Sequence, residues 1–376
     1  MFFHAILTSD CNLQCKYCFG ESMDDFDEEF GEDIEINYDL PRKVSYSAET
    51  LDAFCKKDPD CVLTFYGGEP LLGIEKLREI MDKVTPKHYM IQTNGLLLDK
   101  LESKYVNRFH TILVSIDGEE ALTDYYRGAG TFRKVVNNLK LIKQNGFQGE
   151  LIARVTVMEK TSIEKQIRWL LNNNEFPFSS IHWQLNAGFW GNDYKRRNFE
   201  EWTRTSYIPG VRQLAEFWVG QMEQKGVVLK LYPLLGIAES LLHKEQNCLM
   251  RCGGGWINYA IQTDGYIIPC PTMWGMKKYY LGNIADADPL ELPKIFVKAP
   301  PCVNCSILGV CGGRCLYTNI TKRWTDESYE KVCYTVRELV KAVEAQIPSI
   351  QGLLKSENIS LKDFDYLKYN GCEIIP

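Results

Sequence analysis

The sequence lacks the features that mark several large classes of protein. It contains only five histidines in 376 residues, which argues against a catalytic zinc site built on histidine ligands. No uninterrupted apolar run approaches the roughly 18 residues of a membrane-spanning helix. The first residues, Met-Phe-Phe-His, carry no basic segment of the kind that opens a signal peptide. We therefore expect a cytoplasmic protein with no membrane partner.

An excess of positive charge is also missing. Lysine and arginine number 43 against 49 acidic residues, so the net charge is −6. Proteins that bind nucleic acid usually have a basic surface, and we expect no nucleic-acid partner. The segment Asp24–Glu35 holds eight acids and no base, which more than accounts for the net charge. It either steers a basic peptide towards a nearby site or is a solvated insertion.

Short strand-like runs alternate with helical stretches through the first half of the chain. This alternation predicts parallel βαβ units in an α/β fold, but six units are too few for the closed eight-stranded barrel. The predicted strands are Phe2–Leu7, Val62–Tyr66, His88–Gln92, Ile112–Ile116, Leu151–Val157 and Ser180–Leu185. The predicted helices include Ser47–Lys57, Ile74–Val84, Phe132–Gln144 and Ser162–Asn173.

Cysteine, by contrast, is abundant, with 14 residues. In a reducing compartment such cysteines are read as metal ligands before disulfides. Three of them, Cys11, Cys15 and Cys18, lie in the segment C-N-L-Q-C-K-Y-C, directly after the first predicted strand. Iron–sulfur cubes normally have four cysteine ligands, so three thiolates would leave one iron open to a substrate or cofactor. The same spacing also fits half of a zinc site or a set of core thiols.

A second motif, Gly67-Gly68-Glu69-Pro70, follows the second predicted strand. Two glycines allow the backbone to approach a ligand closely, and the carboxylate of Glu69 can bind an ammonium group. Taken alone, these residues are more typical of a turn that ends a strand and starts a helix at Pro70.

The cysteine loop, Tyr17 and the Gly-Gly-Glu-Pro motif together resemble the radical S-adenosylmethionine (SAM) superfamily. The resemblance implies a partial, open (β/α)6 barrel of the TIM type, in which the strand ends converge on the site. It also implies a 4Fe–4S cluster held by the three loop cysteines, whose open iron chelates the amino and carboxylate groups of SAM. Tyr17 would lie near the adenine, and residues 67–69 would meet the amino group of the methionine.

Further polar residues follow the third, fourth and fifth predicted strands. Asn94, Ser115 and Asp117 resemble segments that border the SAM pocket in this superfamily, although Asn-Gly and Asp-Gly sequences also form ordinary turns. Arg127 and Arg154 are candidates to pair with the SAM carboxylate. Arg154 lies inside a predicted strand, where a buried charge needs a partner.

Eight more cysteines are grouped between residues 248 and 333. Their spacing resembles the SPASM extension of radical SAM enzymes, a cysteine-rich domain with little regular structure that carries two auxiliary 4Fe–4S clusters. The resemblance implies one cluster held by Cys248, Cys252, Cys270 and Cys315 and a second held by Cys302, Cys305, Cys311 and Cys333.

Two details of this region stay open. A zinc site with four thiolate ligands is the alternative to a cluster. Cys248 lies outside the core pattern, and without it the first auxiliary cluster would have an open iron. The three leftover cysteines, Cys55, Cys61 and Cys372, have no partner pattern and are interpreted as structural thiols.

The resemblance divides the chain into four parts. Residues 1–200 would form the barrel and 201–247 a helical linker, followed by the SPASM domain at 248–340 and a C-terminal helix and tail at 341–376.

The function implied by the resemblance is that of an oxidoreductase. A ferredoxin- or flavodoxin-type donor would reduce the first cluster, SAM would be cleaved to methionine and a 5′-deoxyadenosyl radical, and the radical would remove a hydrogen from the substrate. Auxiliary clusters would take up or relay electrons. Enzymes with this extension mostly modify peptides or proteins, through thioether or carbon–carbon crosslinks or formylglycine. Because the chain reaches the barrel almost at once, we expect no leader-binding domain, and a separate recognition protein is a candidate partner.

Three other functions are weighed against this one. Sulfatase-maturating relatives carry an aspartate directly after the cysteine equivalent to Cys270, whereas this chain has Pro271, which argues against that activity. A radical enzyme acting on a small metabolite would need no peptide groove. A simple electron carrier would not bind SAM, so Glu69 and the open iron argue against it. The sequence assigns no catalytic acid or base.

Overall fold

One open, mostly parallel β-sheet organises the chain, of which the computed structural model describes residues 1–18, 34–186, 195–244, 249–296, 300–321 and 325–371. Its strands are β1 Phe2–Thr8, β2 Val62–Gly67, β3 His88–Thr93, β4 Phe109–Ser115, β5 Glu150–Val157, β6 Ser180–Leu185, β7 Lys230–Leu231, β8 Asn258–Ile261 and β9 Ile267–Ile268. They lie in the order β7-β6-β5-β4-β3-β2-β1-β8-β9. Neighbouring strands are parallel except for the pair β8 and β9. The predicted α/β partial barrel is therefore confirmed, and its sheet does not close.

Helices connect the strands and begin at the residues that suit helix starts. Ser47 and Thr325 cap two of them by accepting hydrogen bonds from the amides of Thr50 and Ser328. A π-helical turn at Thr203–Tyr207 joins α7 to α8. The helices are α1 Ala48–Cys55, α2 Ile74–Lys83, α3 Ser103–Val106, α4 Glu120–Arg127, α5 Thr131–Gln144, α6 Ile163–Asn172, α7 Phe199–Trp202, α8 Ile208–Lys225, α9 Tyr232–His243, α10 Leu308–Cys311, α11 Leu316–Thr321, α12 Asp326–Glu344 and α13 Ile347–Lys355. Within the described ranges, none of them is both long and apolar enough to cross a membrane.

The strands alternate between two environments. Their outward residues form the main core with the helices, where Phe65 of β2, Leu77 of α2 and Leu139 of α5 are all fully buried. Inward residues face the inside of the partial barrel, and their character decides what the barrel can hold.

The cysteine-rich region shares this sheet instead of forming a separate body. Strand β8 pairs with β1 in parallel, from Phe2 opposite Asn258 to Ala5 opposite Ile261. Helix α12 packs against α8 and α9. The region therefore contains more regular structure than we expected, because its strand extends the barrel sheet past its first strand.

The last part of the described chain fills the lower end of the barrel. We call residues 365–371 the C-terminal tail. Tyr366 and Leu367 pack against the inward, buried residues Met90 and Leu113. A Cβ atom on Gly371 would lie 3.6 Å from His4 Nε2 and 4.0 Å from Leu113 Cδ2, so this glycine sits inside the barrel. The tail thus forms the floor of the barrel interior.

We expect removal of the Phe364 ring, just before the tail, to destabilise the whole fold. Phe364 is 1% exposed and packs edge-on against Trp218, with ring centroids 6.1 Å apart. Phe364→Ala should lower the free energy of unfolding by about 3–5 kcal/mol, measured by urea unfolding with tryptophan fluorescence. Leu361→Ala, in the same 3₁₀ turn but 50% exposed, is the control and should cost about 0.5 kcal/mol or less. Equal effects of the two substitutions would contradict this account.

Candidate active site

The predicted cofactor residues meet where β1, β2, β3 and β4 end. The cysteine loop follows β1, Glu69 follows β2, Asn94 follows β3 and Asp117 follows β4. Since parallel strands place their carboxyl ends at one edge of the sheet, four segments distant in sequence come together there.

The Asp117 carboxylate is the centre of this edge. It is fully buried and accepts four hydrogen bonds, one of them from the Tyr17 hydroxyl at 2.6 Å. Arg127 donates two from Nε and Nη2, both at 2.9 Å, and the Thr156 amide donates one at 3.0 Å. The carboxylate that we expected at the SAM pocket is thus saturated by the chain itself, and it neutralises the buried Arg127.

This network fixes the cysteine loop to the sheet. Tyr17 lies between Cys15 and Cys18 in sequence, so its bond to Asp117 anchors the loop between two of the predicted iron ligands. Burial and the Asp117 carboxylate raise the pKa of the Tyr17 phenol well above its usual value. The phenol therefore stays protonated and keeps donating.

Contacts within the chain itself require glycine at both positions of the second motif. Gly67 has a φ of +142°, and a Cβ atom there would lie 2.2 Å from the carbonyl oxygen of Thr8. A Cβ on Gly68 would lie 2.3 Å from the carbonyl oxygen of Asp10. The Gly68 amide bonds to Thr8 O at 2.9 Å and the Glu69 amide to Asp10 O at 2.8 Å. We expected close approach to a ligand, whereas the close approach seen is to the start of the cysteine loop.

Glu69 ties the ends of β2 and β3 together. Its carboxylate is fully buried, and one oxygen accepts from the Leu71 amide at 3.0 Å and the Thr93 hydroxyl at 2.7 Å. The other oxygen accepts from the Asn94 amide at 2.7 Å. Burial raises the pKa of Glu69, and the carboxylate is close enough to Cys11 to raise the pKa of that thiol as well. Glu69 therefore lies beside the cysteine loop.

The three loop thiols are accessible and near one another. Cys11 and Cys18 are exposed and Cys15 is partly buried. The Asn94 side chain places Nδ2 4.0 Å from the sulfur of Cys11. Burial raises the pKa values of Cys11 and Cys15, and Cys18 contributes to both shifts. Three soft donors on one surface loop fit the three-thiolate cluster that the spacing predicts.

Below this edge, the inward residues of the strands line a space that we call the chamber. The inward residues near the strand ends are partly exposed, although they lie in the middle of a sheet. The inward residues further from the strand ends, such as Met90, Leu113 and Ile152, are buried. The chamber is therefore an accessible space with an apolar floor. Its lining residues are Tyr66, Gln92, Ser115, Arg154, Thr156 and Gln184.

Tyr66 connects the chamber to two of the cysteine groups. Burial raises the pKa of its phenol, with smaller contributions from the nearby Cys270 and Cys18. Its ring meets that of His4 edge-on at 5.3 Å. Sequence analysis missed Tyr66 and Gln184, although they occupy inward positions of a period-two pattern in β2 and β6 that would have shown them.

Three cysteines of the first auxiliary set come together, while Cys248 lies outside the described residues. Burial raises the pKa of Cys270 to about 11, and the nearby Cys315 adds to the shift. Burial also raises the pKa of Cys252, whose neighbours are the same two cysteines. The structure thus places Cys252, Cys270 and Cys315 as one group.

The second auxiliary set surrounds a cavity of about 200 Å3. Burial raises the pKa of Cys311 to about 11 and that of Cys333 to about 12. Nowhere in the described ranges do three His, Cys, Asp or Glu side chains converge to hold a single metal ion. Four thiols that line one cavity match the ligand set that the resemblance implies for the second auxiliary cluster. The four cysteines that line it are Cys302, Cys305, Cys311 and Cys333.

A short polar network joins the two auxiliary sets. The hydroxyl of Tyr329 lies 2.9 Å from the sulfur of Cys302 and 2.5 Å from Asn319 Oδ1. Asn319 Nδ2 donates to the carbonyl of Cys315 at 3.0 Å. A ligand of the second set is therefore connected to a ligand of the first through two side chains.

Asp117→Asn should destabilise the protein by about 3–5 kcal/mol, because it leaves Arg127 as an unpaired buried cation. Urea unfolding measures this loss. Asp124→Asn is the matched control on α4, since Asp124 only accepts from two exposed or half-buried amides. It should cost about 1 kcal/mol or less. A double substitution, Asp117→Asn with Arg127→Met, should recover part of the loss. If it recovered none, the ion pair would not be the cause.

Tyr329→Phe should leave the iron content unchanged and make the reduction potential of one auxiliary cluster more negative. In the structure the Tyr329 hydroxyl donates to Asn319 Oδ1 and lies 2.9 Å from the Cys302 sulfur. A thiolate at Cys302 only accepts and would compete for this single proton, and hydrogen bonds to sulfur tune cluster potentials. An EPR-monitored redox titration measures the shift. Tyr334→Phe, which is 42% exposed on the same helix, should cause none. An unchanged potential in Tyr329→Phe would contradict the assignment.

Comparison with known proteins agrees with this geometry. Residues 5–167 match the family model described as the radical SAM superfamily. A cysteine-type anaerobic sulfatase-maturating enzyme of Clostridium perfringens (strain 13 / Type A) is 24% identical over 374 residues, which cover 93% of this chain and 97% of that protein. The radical SAM cyclopropyl synthase TigE of Paramaledivibacter caminithermalis is 22% identical, with 83% of this chain and 66% of that protein covered.

Solved structures share the fold. Native anSMEcpe with bound AdoMet and the Cp18Cys peptide superposes with a TM-score of 0.66 at 18% identity, covering 93% of this chain and 98% of that one. Streptococcus suis SuiB bound to the precursor peptide SuiA gives 0.52 at 14% identity, with 87% and 75% covered. These structural likenesses establish the fold alone. Residues 5–167 thus match the radical SAM family model, and the chain is similar in sequence, over most of its length, to an anaerobic sulfatase-maturating enzyme.

Proposed function

We propose that this protein cleaves SAM reductively and uses the 5′-deoxyadenosyl radical to oxidise a peptide or protein substrate held in the chamber. The observation that carries the proposal is the position of the chamber. It lies directly beneath the strand ends that hold the cysteine loop, and Tyr66 in its wall neighbours both Cys18 and Cys270. A substrate there would be within reach of the SAM site on one side and of an auxiliary cluster on the other.

Three groups of thiols would hold the clusters. Cys11, Cys15 and Cys18 would hold the SAM-binding cluster, and the two auxiliary sets would hold the others, with Cys248 as the fourth ligand of the first set. The bound clusters and SAM supply electron transfer and the radical. The chain fixes the loop through Tyr17 and Asp117 and excludes water from below through the C-terminal tail.

A peptide substrate is supported by the known proteins that resemble this chain. The anSMEcpe and SuiB structures were solved with peptides bound, and the sulfatase-maturating relative aligns over nearly its whole length. The accessible loop around Cys11 and Cys18 is where a ferredoxin- or flavodoxin-type donor would deliver its electron. A separate recognition protein would bring the peptide to the mouth of the chamber.

Two reactions on a peptide fit the site. Homology favours oxidation of a cysteine or serine side chain, as in sulfatase maturation. The residue after Cys270 is Pro271, which starts a 3₁₀ turn and offers no carboxylate, and this favours a crosslink over formylglycine. The two outcomes differ in product mass and composition.

Anaerobic reconstitution tests the cofactor content. The protein should contain about twelve irons and twelve sulfides, as three four-iron cubes require, and should release 5′-deoxyadenosine when reduced with SAM. Cys15→Ala should lose about four irons and all SAM cleavage. Cys55→Ala, a buried thiol outside all three sets, is the control and should keep both. Zinc in place of iron, or intact SAM after reduction, would overturn the proposal.

Mass spectrometry of peptides treated with the reduced enzyme distinguishes the reactions. A crosslink removes two hydrogen atoms, and so does formylglycine formed from serine, which aldehyde-trapping hydrazines reveal. Formylglycine formed from cysteine also loses two hydrogen atoms, and hydrolysis then replaces its sulfur with an oxygen from water and releases hydrogen sulfide. Turnover of a free amino acid or sugar, with no response to any peptide, would replace the peptide proposal with the small-metabolite alternative.

A further inference from the structure

Arg154 is a cation without a counter-charge in the described chamber. It projects inward from the middle of β5, where its Nη1 donates to the carbonyl of Gly371 at 3.1 Å and its Nη2 to Gln184 Oε1 at 2.7 Å. Both acceptors are neutral. None of the carboxylates in the described ranges forms an ion pair with it.

The other titratable neighbours of Arg154 do not supply a negative charge. Burial, with a smaller contribution from Arg154, lowers the pKa of His4 to about 4, so this imidazole is neutral at pH 7. Burial raises the pKa of the Tyr66 phenol although Arg154 acts against that shift. The charge of the guanidinium is therefore uncompensated within the described chain.

The side chain is held in place yet keeps donors free. A guanidinium has five N–H groups in a rigid plane, and Gly371 and Gln184 use two of them. Arg154 is only partly buried, and its other donors have no acceptor among the described residues. This arrangement suits a carboxylate, which accepts two parallel hydrogen bonds from a guanidinium.

The carboxylate of SAM is the less suitable occupant. The cation beside the cysteine loop is Arg127, which neighbours the Cys15 thiol and lies 5.4 Å from the Tyr17 ring. Arg154 instead neighbours His4 and Tyr66 across the chamber. SAM also binds through its own carboxylate to the open iron in the superfamily that the loop resembles. Arg154 thus lies on the substrate side of the chamber.

We propose that Arg154 recognises a carboxylate of the substrate, either an acidic side chain next to the modified residue or the free C-terminus of a peptide. This inference rests on the proposed function, since it places a substrate in the chamber. The Gly371 carbonyl orients Arg154 from the floor, and the Gln184 amide orients it from the side. Arg154 would then select substrates that carry a carboxylate.

Binding to the reconstituted, unreduced enzyme with SAM tests the inference without turnover. The probes are acetyl-Gly-Cys-Asp-Gly-amide, the same peptide with Asn for Asp, and the Asn peptide with a free C-terminal carboxylate. One or both carboxylate peptides should bind about tenfold or more tightly than the neutral one, because a charged hydrogen bond contributes about 1.5–3 kcal/mol. Comparing the two acidic peptides tells a side-chain carboxylate from a terminal one. Calorimetry measures all three affinities.

Three variants locate the effect. Arg154→Gln should abolish the preference and Arg154→Lys should keep part of it. Gln184→Glu should also abolish it, because it places a carboxylate on Arg154 at the present hydrogen-bond distance while preserving the shape of the chamber. Iron content and SAM affinity should stay within about twofold of the wild type in all three, which shows that the fold is intact.

Several outcomes would overturn the inference. Equal binding of all peptides to the wild type, or no binding of any, would show that no carboxylate is recognised. A loss of SAM affinity in Arg154→Gln would assign Arg154 to SAM. A carboxylate preference that appears or grows in Glu373→Gln would show that the chain supplies its own counter-charge, since residues 372–376 lie outside the described part. SAM cleavage with reductant is assayed separately, so failure of the proposed function would show there first.

Discussion

The buried carboxylate of Asp117 is the constraint on which the candidate site depends. One side chain receives donors from the cysteine loop, from α4 and from β5. A charge enclosed in protein is costly unless it is paired and hydrogen-bonded, and here Arg127 satisfies that need. The loop that carries the predicted iron ligands is thus positioned by electrostatics in a low-dielectric interior, where such interactions are strong. These hydrogen bonds fix the surface loop with its three thiols to the sheet.

The barrel interior combines two environments that a radical reaction requires. The strand-end half is polar and accessible, while the floor is apolar and closed by Tyr366 and Leu367 of the tail. Water reaching a reactive intermediate would divert it, and a dry floor limits that access. The same tail holds Arg154 through the Gly371 carbonyl. The C-terminal tail, which is far from the barrel strands in sequence, therefore both closes the barrel and orients a charged side chain.

Much of the fold could be predicted from the sequence. The six barrel strands were placed nearly correctly because each is a short apolar run bounded by turn residues or followed by a helix with a strong amphipathic pattern. The short strand β8 was missed, since four residues carry too little periodicity. A C-terminal tail was expected but its position inside the barrel was not, and only its packing against the buried cluster that contains Met90 and Leu113 reveals that position.

The candidate site was predictable in its residues but less so in their roles. Gly67 and Gly68 are recognisable as a motif in the sequence, yet the atoms that forbid a side chain there belong to Thr8 and Asp10, which no local pattern connects to them. Asp117 was expected at a ligand, and its saturation by Tyr17 and other donors depends on three-dimensional contacts. Motif spacing identifies which residues belong to the candidate site, whereas the residues that each of them contacts or hydrogen-bonds follow only from the fold.

The pairing of β8 with β1 has a consequence for how the protein is made. The strand that leads into the cysteine loop is synthesised before the other strands of the sheet, and one of its two neighbours contains Asn258 and is made much later. Contacts between such distant segments form slowly, so a nascent chain exposes one edge of β1 until most of the polypeptide exists. Assembly of the N-terminal metal centre and completion of the cysteine-rich half are thereby coupled in time. The barrel sheet and the cysteine-rich region therefore mature together.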